Sequence, residues 1–260
     1  MSDPLAVIAE FPGVPEAVDS ARQAVDRLYR HRVLRRASPA VSTESSLRGA
    51  RASAALEGTD VSLDALRRDE VHDPLVQGAL RASAELGRLG SMWRTAPRQV
   101  LARLHTVAAA GLAPQSALGR PRAVDEAPDP LGLGPAPGAS ETATRMEGLL
   151  GLLERPTKAP AIVLGAVVHA ELAVLRPFGA ADGIVARAAE RLTLVEHGLD
   201  PKSLVAVEVG HLEQASYAGG LSAYLSGTPE GVAQWVQQCA SAVSLGVREA
   251  TAICEAMQRG

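Results

Sequence analysis

Alanine and leucine recur at three- and four-residue spacing along nearly the whole chain, and nowhere does this period give way to the two-residue alternation of a half-buried strand. Residues three and four apart share one side of a helix, so such a chain can bury its apolar surface only by packing helix on helix. Aromatic residues, which favour strands, make up only 3% of the sequence. The period predicts an all-α fold, with helices over 15–31, 43–56, 62–69, 74–94, 97–111, 141–155, 159–175, 183–197, 204–225 and 229–257. Ser62, Asp73, Asp182 and Thr228 each precede a helical pattern, where a side-chain oxygen can accept from an unpaired N–H, and Pro74 and Pro229 suit the first helical position. Gly198, after His197, reads as a left-handed stop.

A chain of 260 residues that is 47% hydrophobic can build a sizeable core. Its formal net charge of −3, without a basic stripe, argues against nucleic acid or an anionic membrane surface as a partner. Cys239 and Cys254 fall on one predicted helix, about four turns apart, too far to bridge each other, which suits a reducing cytoplasm. The opening MSDPLAVIAEFPG has no basic stretch followed by an apolar run, so no secretory signal is expected there. The longest apolar run, 159–175, is interrupted by His169 and Glu171 and falls short of the ~20 residues of a membrane span. The six histidines are scattered singly, with no HExxH and no cysteine pair, so no metal site is expected from their spacing.

One segment breaks the helical pattern. Residues 118–140, LGRPRAVDEAPDPLGLGPAPGAS, hold five prolines and four glycines and form a long loop, of a length that is usually either functional or disordered. Its GLGPAPG matches a dinucleotide fingerprint only by chance, lacking a preceding strand and the N–H donors that proline removes.

Two further stretches point to a family. Ser53-Ala54-Ala55-Leu56-Glu57-Gly58 fits the pattern (S/T)-x-x-x-E-(G/N), and LRPFGAADGIVAR, 175–187, fits an eroded H-P-F-x-(D/E)-G-N-G-R-x-x-R. In this order they resemble the Fic/Doc (Fido) family, whose inhibitory helix carries the first pattern and whose catalytic core carries the second. LARLHTVAAAGL, 101–112, is similar to that family's leucine–histidine helix, the proline-rich loop stands where its target-positioning flap belongs, and YAGGLSAYLSGTPEGVAQWVQQC is similar to its closing helices. The resemblance implies an N-terminal helical region over 1–95, with an inhibitory-like helix at about 43–58, and a Fic-like core domain over 96–260 whose flap-like loop is 118–140. It also implies an ancestral protein adenylyltransferase, in which the histidine takes a proton from a target hydroxyl, the acid holds Mg²⁺, and the asparagine and arginines hold nucleotide phosphates.

Pro177, Phe178, Gly183 and Arg187 match the core motif, but Arg176 stands at the histidine, Ala180 at the acid, Ala181 at the first glycine, Asp182 at the asparagine and Ile184 at the first arginine. A guanidinium stays protonated and cannot act as the base. Ala180 gives magnesium no oxygen, so the Mg²⁺ site is expected to be lost. Asp182, as an N-cap, would aim its own charge at the N–H groups a phosphate needs, and Ile184 removes a bidentate clamp. No catalytic residue is therefore expected. Glu57 and Arg187 both survive, and in the resembled family this glutamate pairs with that arginine. A buried pair would lock the inhibitory helix, with Ser53 and Gly58, to the motif helix. Arg176, Gly183 and Arg187 are candidates for a residual anion pocket for ATP or another nucleotide, set against a surface Arg176 and a glutamate-paired Arg187. Ser53 is expected to cap or pack, His105 and His169 to pack or orient. The expected function is that of a catalytically degenerate Fic-like regulatory module, binding a nucleotide or an unknown protein partner. The alternatives are an active transferase in which His169 or the substrate supplies the base, and a scaffold that docks partners on its proline-rich loop.

Overall fold

A computed structural model describes residues 3–259, and among them the architecture is all helical, with a single isolated bridge at Ala110–Ala113 and no strand. In chain order the helices are α1 Pro4–Ala9, α2 Val14–Tyr29, α3 Leu34–Leu56, α4 Leu63–Arg67, α5 Pro74–Leu89, α6 Pro97–Ala108, α7 Ala139–Glu154, α8 Ala161–Leu175, α9 Asp182–Glu196, α10 Val207–Glu213, α11 Tyr217–Leu225 and α12 Pro229–Arg259. The centre is α8, AIVLGAVVHAELAVL, buried at almost every position. A helix that is apolar all round must be enclosed on every side. Accordingly α9 packs along it, α1, α7, α11 and α12 cover its other sides, and α3, α5, α6 and α10 pack against α9. One cluster of buried apolar residues runs from Leu5 to Cys254. The two tryptophans are fully buried with their indole N–H groups satisfied, Trp93 by Thr193 Oγ1 at 3.0 Å and Trp235 by the Ala166 carbonyl at 2.8 Å.

Local chemistry explains the helix boundaries. Ser62 accepts from Ala65 N–H, Asp73 from Leu75 and Val76, and Thr228 from Gly231. Gly198 is left-handed, with φ 78°. Three expectations need correction. The predicted helix 43–56 begins at Leu34 and kinks near Ala37 (φ −120°), because Pro39 lies inside it without an N–H to donate. The predicted helix 204–225 is two helices: Gln214 is extended, and Ser216 caps α11 by accepting from Gly219 N–H at 3.1 Å. The predicted helix 74–94 stops at Leu89 and tightens into a 3₁₀ turn over Gly90–Met92. The short α1, capped by Asp3, adds to the expected set.

Cys239 and Cys254 are both buried on α12 and unbridged. Among the described residues, no helix is long and apolar enough to cross a membrane.

Close approach at two helix crossings requires glycine. A Cβ on Gly78 of α5 would lie 2.1 Å from the Ala108 carbonyl oxygen, and one on Gly210 of α10 would lie 2.0 Å from that of Ala242. Gly87, also on α5, faces open space. We therefore predict that Gly210→Ala destabilises the fold by ~1–3 kcal/mol through overpacking against backbone, whereas Gly87→Ala is neutral or stabilises by up to ~1 kcal/mol. Urea unfolding of both variants checks this, and equal effects would contradict the packing described.

Candidate functional site

The candidate site is the turn between α8 and α9. After Leu175 the backbone turns left-handed at Arg176 (φ 46°), Gly179 (φ 77°) and Ala181 (φ 54°) before α9 begins. For arginine and alanine this conformation is unfavourable and needs support from the surroundings. Much of that support comes from Arg122 in the proline-rich loop. Its amide donates to the Pro177 carbonyl at 2.8 Å, and its Nε to the Arg176 carbonyl at 2.9 Å. Its Nη atoms donate to the carbonyls of Leu175, Val124, Asp125 and Pro137 and to Thr142 Oγ1. Phe178 stacks on His105, with ring centroids 4.2 Å apart and planes 9° from parallel. His105 Nδ1 accepts from Gly119 N–H at 2.9 Å, and burial pulls the imidazole down to about 4, so it is neutral.

Arg176 stands where the motif has its histidine. It is not the surface arginine considered from the sequence, being only 5% exposed. Its Nη1 donates to the Pro128 carbonyl at 3.1 Å and pairs with Asp129 at 3.1 Å, while Nη2 donates to the Gly134 carbonyl at 2.6 Å. Asp129 in turn accepts from the amides of Leu133 and Gly134. The side chain at the base position thus bolts the loop onto the turn. With the contacts of Arg122, it ties the segment across the turn as a strap.

Asp182 also departs from expectation. It does not cap α9, whose N-cap is Ala181 without a side-chain hydrogen bond. Asp182 is instead the first helical residue, and its carboxyl turns back to accept from Phe178 N–H at 2.9 Å. One residue of difference in the helix start reverses the direction of the side chain. Burial raises the Asp182 pKa to about 7, Glu57 adds repulsion, and the Phe178 and Gly179 N–H groups work the other way.

The residue that meets the start of α9 is Glu57. Helix α3 stops at Leu56, left-handed Gly58 (φ 98°) turns the chain away, and Glu57 is left facing the motif helix. A Cβ on Gly183 would fall 2.0 Å from Glu57 Oε1, so a larger residue there would push this carboxylate aside. Glu57 Oε1 accepts from Arg187 Nη2 at 2.7 Å, with the two side chains 7% and 0% exposed. Arg187 also donates from Nε to Ser53 Oγ at 2.9 Å, from Nη2 to the Ser53 carbonyl at 3.0 Å and from Nη1 to Tyr217 OH at 3.2 Å. Ile184, at the first arginine position, is buried in the core. The structure thus brings Ser53, Glu57, Gly183 and Arg187 together and sends Arg176 to the strap. Neither guanidinium is left without protein partners. Magnesium does not fit these residues, because Ala180 has no oxygen to offer and Asp182 is committed to the turn.

Behind Arg187 lies a buried network that sequence reasoning missed. Tyr217 O–H donates to His169 Nε2 at 2.6 Å, His169 Nδ1–H to Glu190 Oε2 at 2.6 Å, and His211 Nε2–H to the same oxygen at 2.8 Å. Burial opposes ionisation of Glu190, but the contacts with His211 and His169 outweigh it and hold its pKa at about 2. Burial keeps His169 neutral, down to about 4, against the pull of Glu190. With both nitrogens taken and no exposed surface, His169 faces no cleft in which to act as a base. The signal in the sequence was the group of charged residues Arg187, Glu190 and Arg191 amid apolar neighbours in one helix.

Two predictions follow from this geometry. Glu57→Gln should lower stability by ~3 kcal/mol, because it strands a buried guanidinium; an unchanged melting temperature would contradict the lock. The folded protein holds the Asp182 proton up to about pH 7, while the ordinary aspartate value is 3.8, so this group's contribution to stability falls as pH climbs between those values. Asp182→Asn should therefore gain on the parent protein steadily from pH 4 to pH 7 in denaturant titrations, and a difference independent of pH would contradict the assignment.

No family model and no curated protein matches this sequence. Solved structures do. The crystal structure of a Fic family protein from Desulfovibrio desulfuricans G20 superposes with a TM-score of 0.73 at 20% identity, over 91% of this chain and 74% of that one. Fic-1 (residues 134–508) from C. elegans superposes with a TM-score of 0.70 at 16% identity, over 94% of this chain and 73% of that one. At such identities the likeness concerns architecture, and by that measure this chain has the helical Fic fold.

Proposed function

We propose that this chain is a catalytically silent Fic-like protein that acts as a regulatory module for a protein partner, without transferring nucleotides. The observation that carries this reading is the use made of Arg176. A proton acceptor is needed at that position, and a permanently charged guanidinium stands there, spent on two loop carbonyls and Asp129. Two other features support it. Glu57 lies over Gly183 at the start of α9, where a phosphate would otherwise meet the helix N–H groups. Arg187, the remaining phosphate ligand of the motif, is fully buried among Ser53, Glu57 and Tyr217. These contacts favour a protein partner over a nucleotide, and the strapped loop offers a preformed surface to it. The reading of an active transferase with His169 as base has no comparable support, since that imidazole is enclosed.

ATP labelled at the α-phosphate, supplied with magnesium and a cell lysate, should leave no more label on protein than the lysate gives without this chain. Transfer that disappears in Arg187→Ala would overturn the proposal. Arg176→Ala should release the strap, making residues 124–136 several-fold more sensitive to limited proteolysis while helical circular dichroism is retained. Unchanged cleavage would show that the arginine does not hold the loop.

A further inference from the structure

Three helices converge on one point inside the core. His169 comes from α8, Glu190 from α9 and His211 from α10, and their ligating atoms all lie within 4.8 Å of one another. Each side chain is at most 1% exposed. The ring orientations are fixed from outside: Trp235 stands edge-on to His169 at 5.1 Å and stacks within 10° of His211 at 5.8 Å. His169 is further held at its outer nitrogen by Tyr217 OH, the kind of second contact that aims a ligating imidazole.

Among the described residues, the ion-pair partners of the buried Glu190 carboxylate are the imidazoles of His169 and His211. A buried anion of this kind calls for a compensating cation. Two imidazole nitrogens and one carboxylate oxygen make an N/O set that suits an ion of borderline softness such as zinc, with a fourth position left to solvent, and suits magnesium or calcium poorly.

We propose that His169, Glu190 and His211 form a three-ligand site for a divalent transition metal of the zinc class, pinning α8, α9 and α10 together. His169 binds through Nδ1, His211 through Nε2 and Glu190 through Oε2, each imidazole then carrying its proton on the opposite ring nitrogen. Ligand atoms around tetrahedral zinc stand about 3.3 Å apart, so the 2.6 and 2.8 Å contacts to Glu190 would open by about half an ångström while the two imidazole nitrogens, within 4.8 Å of each other, adjust to the same spacing. The histidines are 42 residues apart in the chain (169 to 211), which is why no ligand spacing announces the site. The proposal is independent of whether the chain transfers nucleotides.

The test uses the full chain, refolded from urea with and without zinc and then dialysed. Elemental analysis should find about one zinc per chain, with a melting temperature several degrees above that of the zinc-free sample. Refolding with Co²⁺ should give the intense visible absorption of a tetrahedral complex. His211→Gln should lose the metal; if that variant fails to fold, the cobalt spectrum of the parent chain decides. No retained zinc and no change in melting temperature would overturn the proposal and leave the cluster as a hydrogen-bonded network alone. Metal content undiminished in a folded His211→Gln variant would overturn it equally.

Discussion

The structure depends on one buried ion pair, Glu57 with Arg187. A guanidinium with no exposed surface is tolerable only if every face of it is met, and here the partners come from two other helices: Ser53 and Glu57 at the end of α3 and Tyr217 on α11. Because Arg187 sits on α9, the pair fixes the depth at which α3 approaches the motif helix, and Gly183 is the residue that allows it. The network continues from Tyr217 through His169 to Glu190 and His211, so that five helices share one connected set of buried polar groups. Such a set is costly when only partly satisfied and therefore resists piecemeal change.

In the turn between α8 and α9 the side chains serve structure. Arg176 and Ala181 still adopt left-handed conformations, yet the atoms that would face a substrate are turned inward or onto the strap. Arg176 holds Pro128 and Gly134 down, Asp182 closes the turn on Phe178, and Ile184 fills the core. The packing of α8 on α9 rests on apolar contacts and does not need catalytic side chains in the turn between them.

The helical class was legible because the Ala/Leu period is a property of the whole chain. The meeting of Glu57 with Arg187 was legible because both patterns are short, intact at those positions and in the family order. The role of Asp182 was not: cap and turn-closer differ by one residue in where the helix begins, and periodicity does not resolve that. The break between α10 and α11 was hidden by small residues that continue the helical spacing past Ser216. Arg176 was misjudged as a surface group because its acceptors are backbone carbonyls in a loop without any periodic signal. Glu190, His211 and Tyr217 escaped notice because three-dimensional convergence leaves no trace in spacing along the chain.

The central claim is that the start of α9 is closed to phosphate by Glu57, with the strap held over the turn by Arg176. Hydrogen exchange at the amides of residues 177–185, followed with and without millimolar ATP and magnesium, tests it most directly. The account predicts superimposable exchange in the two conditions. Slowed exchange at Gly183 and Ile184 when ATP is present would mean that a phosphate reaches the helix, and the account would be wrong.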